Sequence, residues 1–377
     1  MSQSALRAPL ATIDLDALRH NFDVARAHAE GAKVFAVVKA DAYGHGMTAC
    51  AQALRLQADG FVVSALGEAE ALRKSGITQR IMVLQGFTNL AEARLAARLL
   101  VEPVVHQEWQ IELIEKNSLG LPLSVWLKID SGMHRIGIPP EQARSLHARL
   151  SASKRLRRPP GLMTHFARAD EADAAPTQQQ LAVFRAATEG LEGERSVANS
   201  AGVFGGAAQG ALGDIVRPGI ALYGSCPLDD GTAADLGLRP VMRLETRVLA
   251  VKTHRQGEEV GYGGRFVCPE DMPLGVASVG YADGYPRVTP SGTPLMVNGQ
   301  PARLAGRVSM DLITLDLRGV QASVGDGVQL WGEHISVDTV ARAAGTLGYE
   351  LLCAAGKACQ RRYLPAVESQ PAPGLSE

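Results

Sequence analysis

The sequence predicts an α/β protein in which an N-terminal (β/α)₈ barrel is followed by a smaller, mainly β-strand domain. Over roughly 220 residues, short β-branched runs alternate with stretches of helical period. Beyond about Asp235, short strands are separated by glycine, proline and asparagine turns. The chain has 377 residues, 46% of them hydrophobic and 20% charged, which is ample apolar material for a large core.

Eight apolar runs account for the strands of the predicted barrel. In chain order they are VFAVVKA, GFVVSAL, RIMVLQG, LLVEPVV, LSVWLKID, GLMTHF, SVANS and IVRPGIALYG. Ala-, Leu-, Arg- and Glu-rich segments such as LGEAEALRKSG and EQARSLHARL lie between them. Continuous apolar strands that alternate with helices are typical of a parallel sheet covered by helices. A doubly wound sheet is the alternative arrangement.

The domain boundaries follow from the same change of pattern. We assign residues 1–235 to the barrel domain, although its first residues could pair with the β domain instead. Residues 236–365 form the β-rich domain, which ends in one predicted helical stretch, VDTVARAAG. Residues 366–377 contain proline, serine and glycine, and we expect them to be a disordered tail.

Composition excludes several classes of function. Lys and Arg number 38 against 39 Asp and Glu, so no basic surface predicts nucleic-acid binding. No apolar run approaches the roughly 18 residues of a membrane span, and the N-terminus lacks the features of a signal peptide. The five cysteines show no CxxC pair or disulfide spacing. We therefore expect a cytoplasmic protein with reduced thiols and no metal site.

Polar residues at the carboxyl ends of the predicted strands indicate where chemistry should occur in a barrel. They are Lys39, Lys128 with Asp130, His165, Ser200 and Arg217. Taken singly, each has an ordinary explanation. Lys39 could extend from a strand end into solvent, His165 could be a hydrogen-bonded core histidine, and Arg217 could pair with Asp214.

Lys39 is the most unusual of these residues, because an ammonium inside an apolar run costs several kcal/mol unless it is compensated. Burial that lowers the pKa of a lysine also makes its amine nucleophilic, as in Schiff-base lysines. Tyr43, Gly44 and Gly46 follow and allow a tight turn or a close approach to a ligand. The last two predicted strands carry ANSAG and RPGIALYG, where barrels commonly bind a phosphate.

Eight motifs in order give the chain a family resemblance. AVVKADAYGHG, LKIDSGMHRIG, MTHFARADEAD, ANSAG, VRPGIALYG, GYGGRF, SVGYADGYPR and GRVSMD together resemble the bacterial alanine racemases, from about Ile13 to Tyr363. The resemblance implies a (β/α)₈ barrel with a β-strand domain, pyridoxal 5′-phosphate (PLP) as cofactor and a head-to-tail homodimer.

The resemblance also implies catalytic roles. Lys39 would hold the cofactor and act as the base on one face of the substrate, and Tyr262 of the partner chain would act on the other. The unperturbed pKa of a tyrosine, about 10, is too high for a base at neutral pH, so His165 would stabilise the phenolate. Arg217 would hydrogen-bond the pyridine nitrogen, and Arg135 would contact the phenolic oxygen and the substrate carboxylate.

The remaining implied roles concern binding and access. Lys128, beneath Arg135, is the residue that many relatives carbamylate. The phosphate would be bound by Tyr43, Ser200, the amides of Gly219 and Ile220, and Tyr349. Met310 would offer its backbone N–H to the substrate carboxylate, and the gate to the site would be formed by Tyr281, Arg307 and Asp170.

The predicted function is interconversion of L- and D-alanine, which supplies D-alanine for peptidoglycan. One alternative is a broad-spectrum or serine-preferring racemase, although such relatives are often exported and this chain lacks a signal peptide. A PLP decarboxylase of the same two-domain plan is another, although its relatives carry a carboxylate where this chain has Arg217. A non-catalytic PLP carrier with a barrel alone would lack GYGGRF and GRVSMD.

Overall fold

The structure is a computed structural model that describes residues 9–365. The chain divides into two compact units. One comprises Leu18–Arg239, and the other joins Met1–Ala17 to Pro240–Glu377. We call them the barrel unit and the strand unit. The predicted tail, residues 366–377, lies outside the described residues.

The barrel unit alternates strands and helices along its length. After β1 (Leu10–Asp14), which belongs to the strand unit, the elements are α1 (Leu15–Ala27), β2 (Lys33–Val37), α2 (Lys39–Tyr43), α3 (Met47–Leu54), β3 (Gly60–Val63), α4 (Leu66–Lys74), β4 (Arg80–Val83), α5 (Leu90–Leu99), β5 (Glu102–Val105), α6 (Glu108–Lys116), β6 (Trp126–Lys128), α7 (Ala143–Ala152), β7 (Gly161–Met163), α8 (Ala175–Thr188), β8 (Arg195–Ser196), α9 (Ser200–Phe204) and β9 (Ile215–Val216). Short 3₁₀ helices lie at Pro140–Gln142, Gly206–Ala208 and Ile220–Tyr223.

Strands β2 to β9 form one parallel sheet that nearly closes into a barrel. Each strand from β2 to β8 pairs with the next, and β2 also pairs with β9. A parallel bridge between Asn199 and Arg217 links the chain beyond β8 to the chain beyond β9. The barrel prediction is confirmed, and the eight predicted strands are those of the structure.

Large side chains inside the barrel pack over glycines on neighbouring strands. A Cβ atom on Gly60 would lie 2.7 Å from the ring of Phe35, and one on Gly161 would lie 2.4 Å from the ring of Trp126. Both rings are fully buried. The glycines therefore provide the space that lets aromatic residues fill the barrel interior.

Charged residues form an ion-pair network at the amino ends of the strands. Arg80 of β4 binds Glu102 of β5 at 2.6 Å and Glu194 at 2.7 Å. Arg158 contacts the same two carboxylates at 3.1 and 2.7 Å, and Lys33 reaches Glu194 at 3.0 Å. This end of a (β/α)₈ barrel usually serves stability, which leaves the opposite end for chemistry.

The strand unit is built mainly of antiparallel β-structure. Its further elements are β10 (Met242–His254), β11 (Glu259–Val260), β12 (Phe266–Val267), β13 (Met272–Ala277), β14 (Pro294–Val297), β15 (Gln300–Ala305), β16 (Ile313–Asp316), β17 (Gly327–Trp331), α10 (Val337–Ala343), α11 (Gly348–Ala358) and β18 (Gln360–Leu364), with 3₁₀ helices at Tyr262–Gly264 and Tyr281–Asp283.

The main sheet of this unit has the order β13-β16-β15-β14-β17-β10-β1-β18. The N-terminal strand β1 lies between β10 and β18, antiparallel to the first and parallel to the second. The prediction of a mainly β-strand domain is confirmed. The sequence predicts one helix in this domain, VDTVARAAG, which is α10, but the structure has a second one, α11. Gly348 and Gly356 lie within α11 and obscured its helical period in the sequence.

Helix α8, with 14 residues, is the longest helix in residues 9–365. No helix within that range is both long and apolar enough to cross a membrane.

Candidate active site

Four of the predicted residues lie at the carboxyl ends of barrel strands, at positions whose side chains project to the same face of the sheet. Lys39, His165 and Arg217 come two residues after Val37, Met163 and Ile215, and Lys128 ends β6. Lys39, Lys128 and Arg217 all influence the pKa of His165, as does Arg135 from the loop beyond β6. The structure therefore brings these five basic side chains together at the mouth of the barrel.

Lys39 begins a left-handed turn. The φ angles of the four residues from Ala40 to Tyr43 are 53, 54, 55 and 51°, and Gly44 continues the turn at 84°. Such conformations are costly for residues with a Cβ and persist only where the surroundings impose them. Glu68 Oε1 accepts a hydrogen bond from the N–H of Ala40 at 2.9 Å, and Asp41 Oδ1 accepts one from Met47 at 2.7 Å.

Arg217 is fully buried without a carboxylate partner among the described residues. Its guanidinium donates to the Ser196 hydroxyl, to the Thr164 carbonyl at 2.8 Å and to His165 Nδ1 at 3.3 Å. Burial lowers its pKa to about 10. The suggested pair with Asp214 is wrong, because that carboxylate instead accepts the backbone N–H of Arg195 at 2.7 Å. A guanidinium held by neutral acceptors can still bind a further acceptor in the mouth.

The bond from Arg217 also sets the tautomer of His165. A guanidinium can only donate, so Nδ1 of His165 accepts and its proton resides on Nε2. Burial, followed by the charges of Arg217, Lys128, Arg135 and Lys39, lowers the pKa of His165 well below its usual range. His165 is therefore a neutral imidazole with one N–H available for donation.

Lys128 is buried among cations. Burial and the positive charges of Arg217, Arg135 and Lys39 lower its pKa to about 8, and Asp130 only partly opposes them. Asp130 in turn accepts the backbone N–H groups of Gly132 and His134, at 3.2 and 2.9 Å. Roughly a tenth of Lys128 is consequently an uncharged amine at pH 7, far more than for an ordinary lysine.

The residues predicted to bind phosphate also converge. Ser200 Oγ accepts from the N–H of Gly219 at 2.7 Å and from that of Ala221 at 3.4 Å. A Cβ on Gly219 would lie 2.5 Å from the Tyr43 hydroxyl, and Ile220 follows directly at the start of a 3₁₀ helix. One small polar cradle is therefore formed by Tyr43, Ser200 and the backbone amides of Gly219 and Ile220.

Five of the other predicted residues belong to the strand unit: Tyr262, Tyr281, Arg307, Met310 and Tyr349. Tyr262 is 67% exposed and Met310 is 58% exposed. The N–H groups of Tyr281 and Ala282 donate to the carbonyls of Ser309 and Met310 at 3.0 and 2.9 Å, which joins two of the predicted loops. The remaining member is Tyr349, which lies in the first turn of α11.

Opposite charges mark two surfaces, one on each unit. On the strand unit, Arg265 and then burial lower the pKa of Arg307, and Arg287 lowers it further. On the barrel unit, burial and the negative charges of Asp170, Glu171 and Asp230 raise the pKa of Asp229. We call these the arginine cluster (Arg265, Arg287 and Arg307) and the acidic cluster (Asp170, Glu171, Asp229 and Asp230). They contain two of the predicted gate residues, Arg307 and Asp170.

Sequence reasoning missed two residues of the site. Glu68 binds the backbone beside Lys39, a role that has no signature in sequence. His106 comes two residues after Val104 and directly follows β5, so the strand-end rule that selected Lys39 and His165 should have selected it as well.

Comparison with known proteins supplies the family. The model of the alanine racemase N-terminal domain matches residues 13–227, and that of the C-terminal domain matches residues 241–363. The chain belongs to the alanine racemase family. The alanine racemase of Pseudomonas taetrolens is 49% identical over 92% of this chain and 97% of its own length. That of Thioalkalivibrio sulfidiphilus is 50% identical over 95% and 99%, respectively.

Solved structures agree with this assignment. The biosynthetic alanine racemase of Pseudomonas aeruginosa superimposes with a TM-score of 0.91, at 46% identity over 95% of this chain and 99% of the other. The chain is therefore a racemase, an isomerase with a (β/α)₈ barrel and a β-strand domain.

Family membership implies PLP as the cofactor, and residues of the barrel unit fit an anionic pyridine derivative. The mouth gathers several cations around Lys39. Arg217 offers donors rather than a carboxylate to a ring nitrogen, and the cradle at Ser200 and Gly219 suits a phosphate.

Proposed function

We propose that this chain interconverts L- and D-alanine with PLP bound to Lys39, as a homodimer with shared active sites. The observation that carries the proposal is the convergence of Lys39, His165 and Arg217 at one barrel mouth. Such a reaction supplies D-alanine for peptidoglycan.

When bound, the cofactor draws electrons from the substrate and so makes its α-proton removable. Lys39 would hold the cofactor and then carry the proton on one face of the substrate. The cradle of Tyr43, Ser200, Gly219 and Ile220 would hold the phosphate, with Tyr349 as a further donor. Arg217 would donate to the ring nitrogen from its buried position.

The second proton carrier would be Tyr262 of the partner chain. His165 supports this role because its Nε2–H is free to donate while Arg217 holds Nδ1. A hydrogen bond to the phenolate lowers the pKa of a tyrosine and lets it act as a base. Arg135 would contact the substrate carboxylate together with the Met310 backbone N–H of the partner chain. Lys128, as a carbamate, would pair with Arg135.

Charge and exposure support a head-to-tail dimer. Tyr262, Met310 and Tyr281 are 67, 58 and 40% exposed, so all three side chains are accessible to a partner chain. The arginine cluster carries three positive charges. The acidic cluster has four carboxylates, of which Glu171 is paired with Arg168, so the clusters would still attract each other between chains. In this arrangement Tyr281, Arg307 and Asp170 would form the gate.

The primary test is formation of D-alanine from pure L-alanine by the holoenzyme, followed by chiral chromatography. Serine and lysine serve as comparison substrates, because the first tests a broad-spectrum racemase and the second a decarboxylase. Faster conversion of serine than of alanine, or release of CO₂ from lysine, would contradict the proposal.

A complementation experiment tests the shared site. Lys39→Ala and Tyr262→Phe are each expected to abolish racemisation, and only the second should retain the absorbance of bound cofactor. After the two variants exchange subunits, half of the dimers are mixed. Each mixed dimer contains one site with both Lys39 and Tyr262 and one site with neither. About a quarter of the parent activity should then return. No recovery, despite subunit exchange seen by mass spectrometry, would mean that Tyr262 acts within its own chain.

A further inference from the structure

His106 belongs to the ring of side chains at the barrel mouth. Parallel pairing joins Val105 of β5 to Leu127 of β6, so the next positions, His106 and Lys128, are neighbours. Neighbours in a parallel pair project to the same face of the sheet. Lys128 faces the mouth, because Arg217 and Lys39 influence its pKa. His106 therefore shares that face and acts electrostatically with Lys128.

One ring nitrogen of His106 is buried and makes no hydrogen bond within residues 9–365. Its Nε2 lies 3.2 Å from the Gln85 carbonyl, which can only accept, so the proton resides on Nε2. Nδ1 then carries a lone pair, is buried and has no hydrogen-bond partner within residues 9–365. Burial and the charge of Lys128 lower the pKa of His106, despite the opposing influence of the Gln85 carbonyl and of its own backbone.

Lys128 occupies the neighbouring strand position and acts electrostatically on His106, and its amine has a chemical use for a proton acceptor. Its pKa of about 8 leaves roughly a tenth of the amine uncharged at pH 7, which is enough to react. An uncharged amine reacts with CO₂, and the reaction releases a proton that must be taken up. The groups that act on Lys128 are Arg217, Arg135 and Lys39, which are cations, and Asp130. The other neutral imidazole at the mouth, that of His165, has no lone pair to offer, because its Nδ1 accepts from Arg217.

We propose that His106 is a positioning residue that accepts the proton released when Lys128 adds CO₂. After it has passed that proton to solvent, its Nδ1 accepts a hydrogen bond from the N–H of the carbamate. The amine lone pair forms the N–C bond, one C=O pair moves onto oxygen, and the N–H proton passes to Nδ1 of His106. The imidazolium later returns this proton to solvent. The inference deepens the proposed function, because it rests on carbamylation of Lys128.

The charges at the mouth favour this product. A carbamate replaces a cation with an anion among Arg135, Arg217 and Lys39, and it pairs with Arg135. The new anion also raises the affinity of the neighbouring imidazole for a proton. His106 would therefore act on racemisation only through Lys128 and Arg135, without touching substrate or cofactor.

The test uses holoenzyme equilibrated with ¹³C-bicarbonate and observed by ¹³C NMR. Lys128→Ala assigns the carbamate signal, which should vanish in that variant. His106→Leu removes the acceptor and should raise the bicarbonate needed for half-occupancy at least tenfold, in line with loss of a hydrogen bond to a charged group. Added bicarbonate should then restore its kcat. His334→Asn, at an exposed position of the strand unit, is the matched control.

His106→Asn separates uptake of the proton from hydrogen bonding to the carbamate. An amide oxygen can accept a hydrogen bond but not a proton, so occupancy should stay near the parent value while label exchange slows. Equal bicarbonate dependence in the parent and His106→Leu would overturn the proposal. So would a parent enzyme that racemises alanine without any carbamate signal, and that result would leave the proposed activity standing.

A fold defect in the variants is detected by the absorbance of bound cofactor and by thermal unfolding. The parent enzyme then supplies an independent measurement. With ¹⁵N-labelled histidine, bicarbonate should shift the resonances of one imidazole, and Lys128→Ala should remove that shift. No bicarbonate-dependent histidine shift in the parent would overturn the proposal.

Discussion

The carboxylate of Glu68 offers a direct test of how the chain holds Lys39. Its Oε1 accepts from the N–H of Ala40 at 2.9 Å, and its Oε2 accepts from those of Ser64 and Ala65 at 2.7 and 3.1 Å. Glu68→Ala removes all three bonds. Glu68→Gln has nearly the same shape and keeps one acceptor oxygen, so it serves as the matched control.

The magnitude follows from the left-handed turn that Glu68 holds. Left-handed conformations cost roughly 1–2 kcal/mol per residue, so the four residues Ala40–Tyr43 require about 4–8 kcal/mol of support. Hydrogen bonds to a charged group contribute about 1.5–3 kcal/mol each. The three bonds of Glu68 together contribute less than three times this, because one is exposed and two are only partly buried. We expect Glu68→Ala to lower the free energy of unfolding by about 2–4 kcal/mol and kcat by about tenfold to a hundredfold, since Lys39 is displaced.

The assay is the rate of D-alanine formation as a function of L-alanine concentration, together with thermal unfolding of the holoenzyme. Misplacement of Lys39 lowers kcat more than it changes KM, because the substrate-binding residues are untouched. Glu68→Gln should lie between the parent and Glu68→Ala. A Glu68→Ala enzyme that loses stability but keeps the parent kcat would refute the reasoning, because the carboxylate would then only stabilise its loop.

Three further predictions follow from single contacts. Gly219→Ala places a Cβ 2.5 Å from the Tyr43 hydroxyl, so we expect about tenfold weaker PLP binding in reconstitution titrations, partly restored by Tyr43→Phe. Arg217→Met removes a charge that lowers the pKa of His165, so that pKa should rise in an imidazole NMR titration, and an unchanged value would contradict the electrostatic account. Glu194 has a pKa lowered to about 2, mainly by hydrogen bonds from Arg80 and Lys33 against the effect of burial. Its carboxylate therefore stabilises the fold above about pH 4.5, and this contribution, about 1–2 kcal/mol after solvent screening, is lost as the pH falls towards 2. The gap in unfolding free energy between the parent and Glu194→Gln should shrink over that range, and a constant gap would exclude an ionic contribution.

Much of the fold was predictable because strand periodicity in a parallel barrel is local information. The eight apolar runs are the eight barrel strands, and the alternation of side chains places Lys39, His165 and Arg217 on one face. The same alternation applies to His106. It was overlooked because no motif drew attention to it, although the spacing from Val104 is the same as that from Met163 to His165.

Other features depend on contacts between segments far apart in the chain. Nothing in KADAY predicts four successive left-handed residues, because Ala and Asp favour ordinary helices or turns. The turn exists because Glu68, 28 residues from Ala40, accepts its first N–H, and because Asp41 closes the turn onto Met47. Likewise, the pairing of Arg217 with neutral acceptors rather than Asp214 required the packed strands β7 to β9.

The balance of charge at the barrel mouth connects these features to function. Lys39, Lys128, Arg135 and Arg217 converge there, while Asp130 is the acidic residue among the groups that act on Lys128. Uncompensated buried cations are unfavourable, which is why the pKa values of Lys128 and Arg217 fall. Each of three anions would offset the repulsion among these cations: the cofactor, the substrate carboxylate and a carbamate on Lys128. The mouth is therefore organised for anions, and occupancy by them should raise the free energy of unfolding of the barrel.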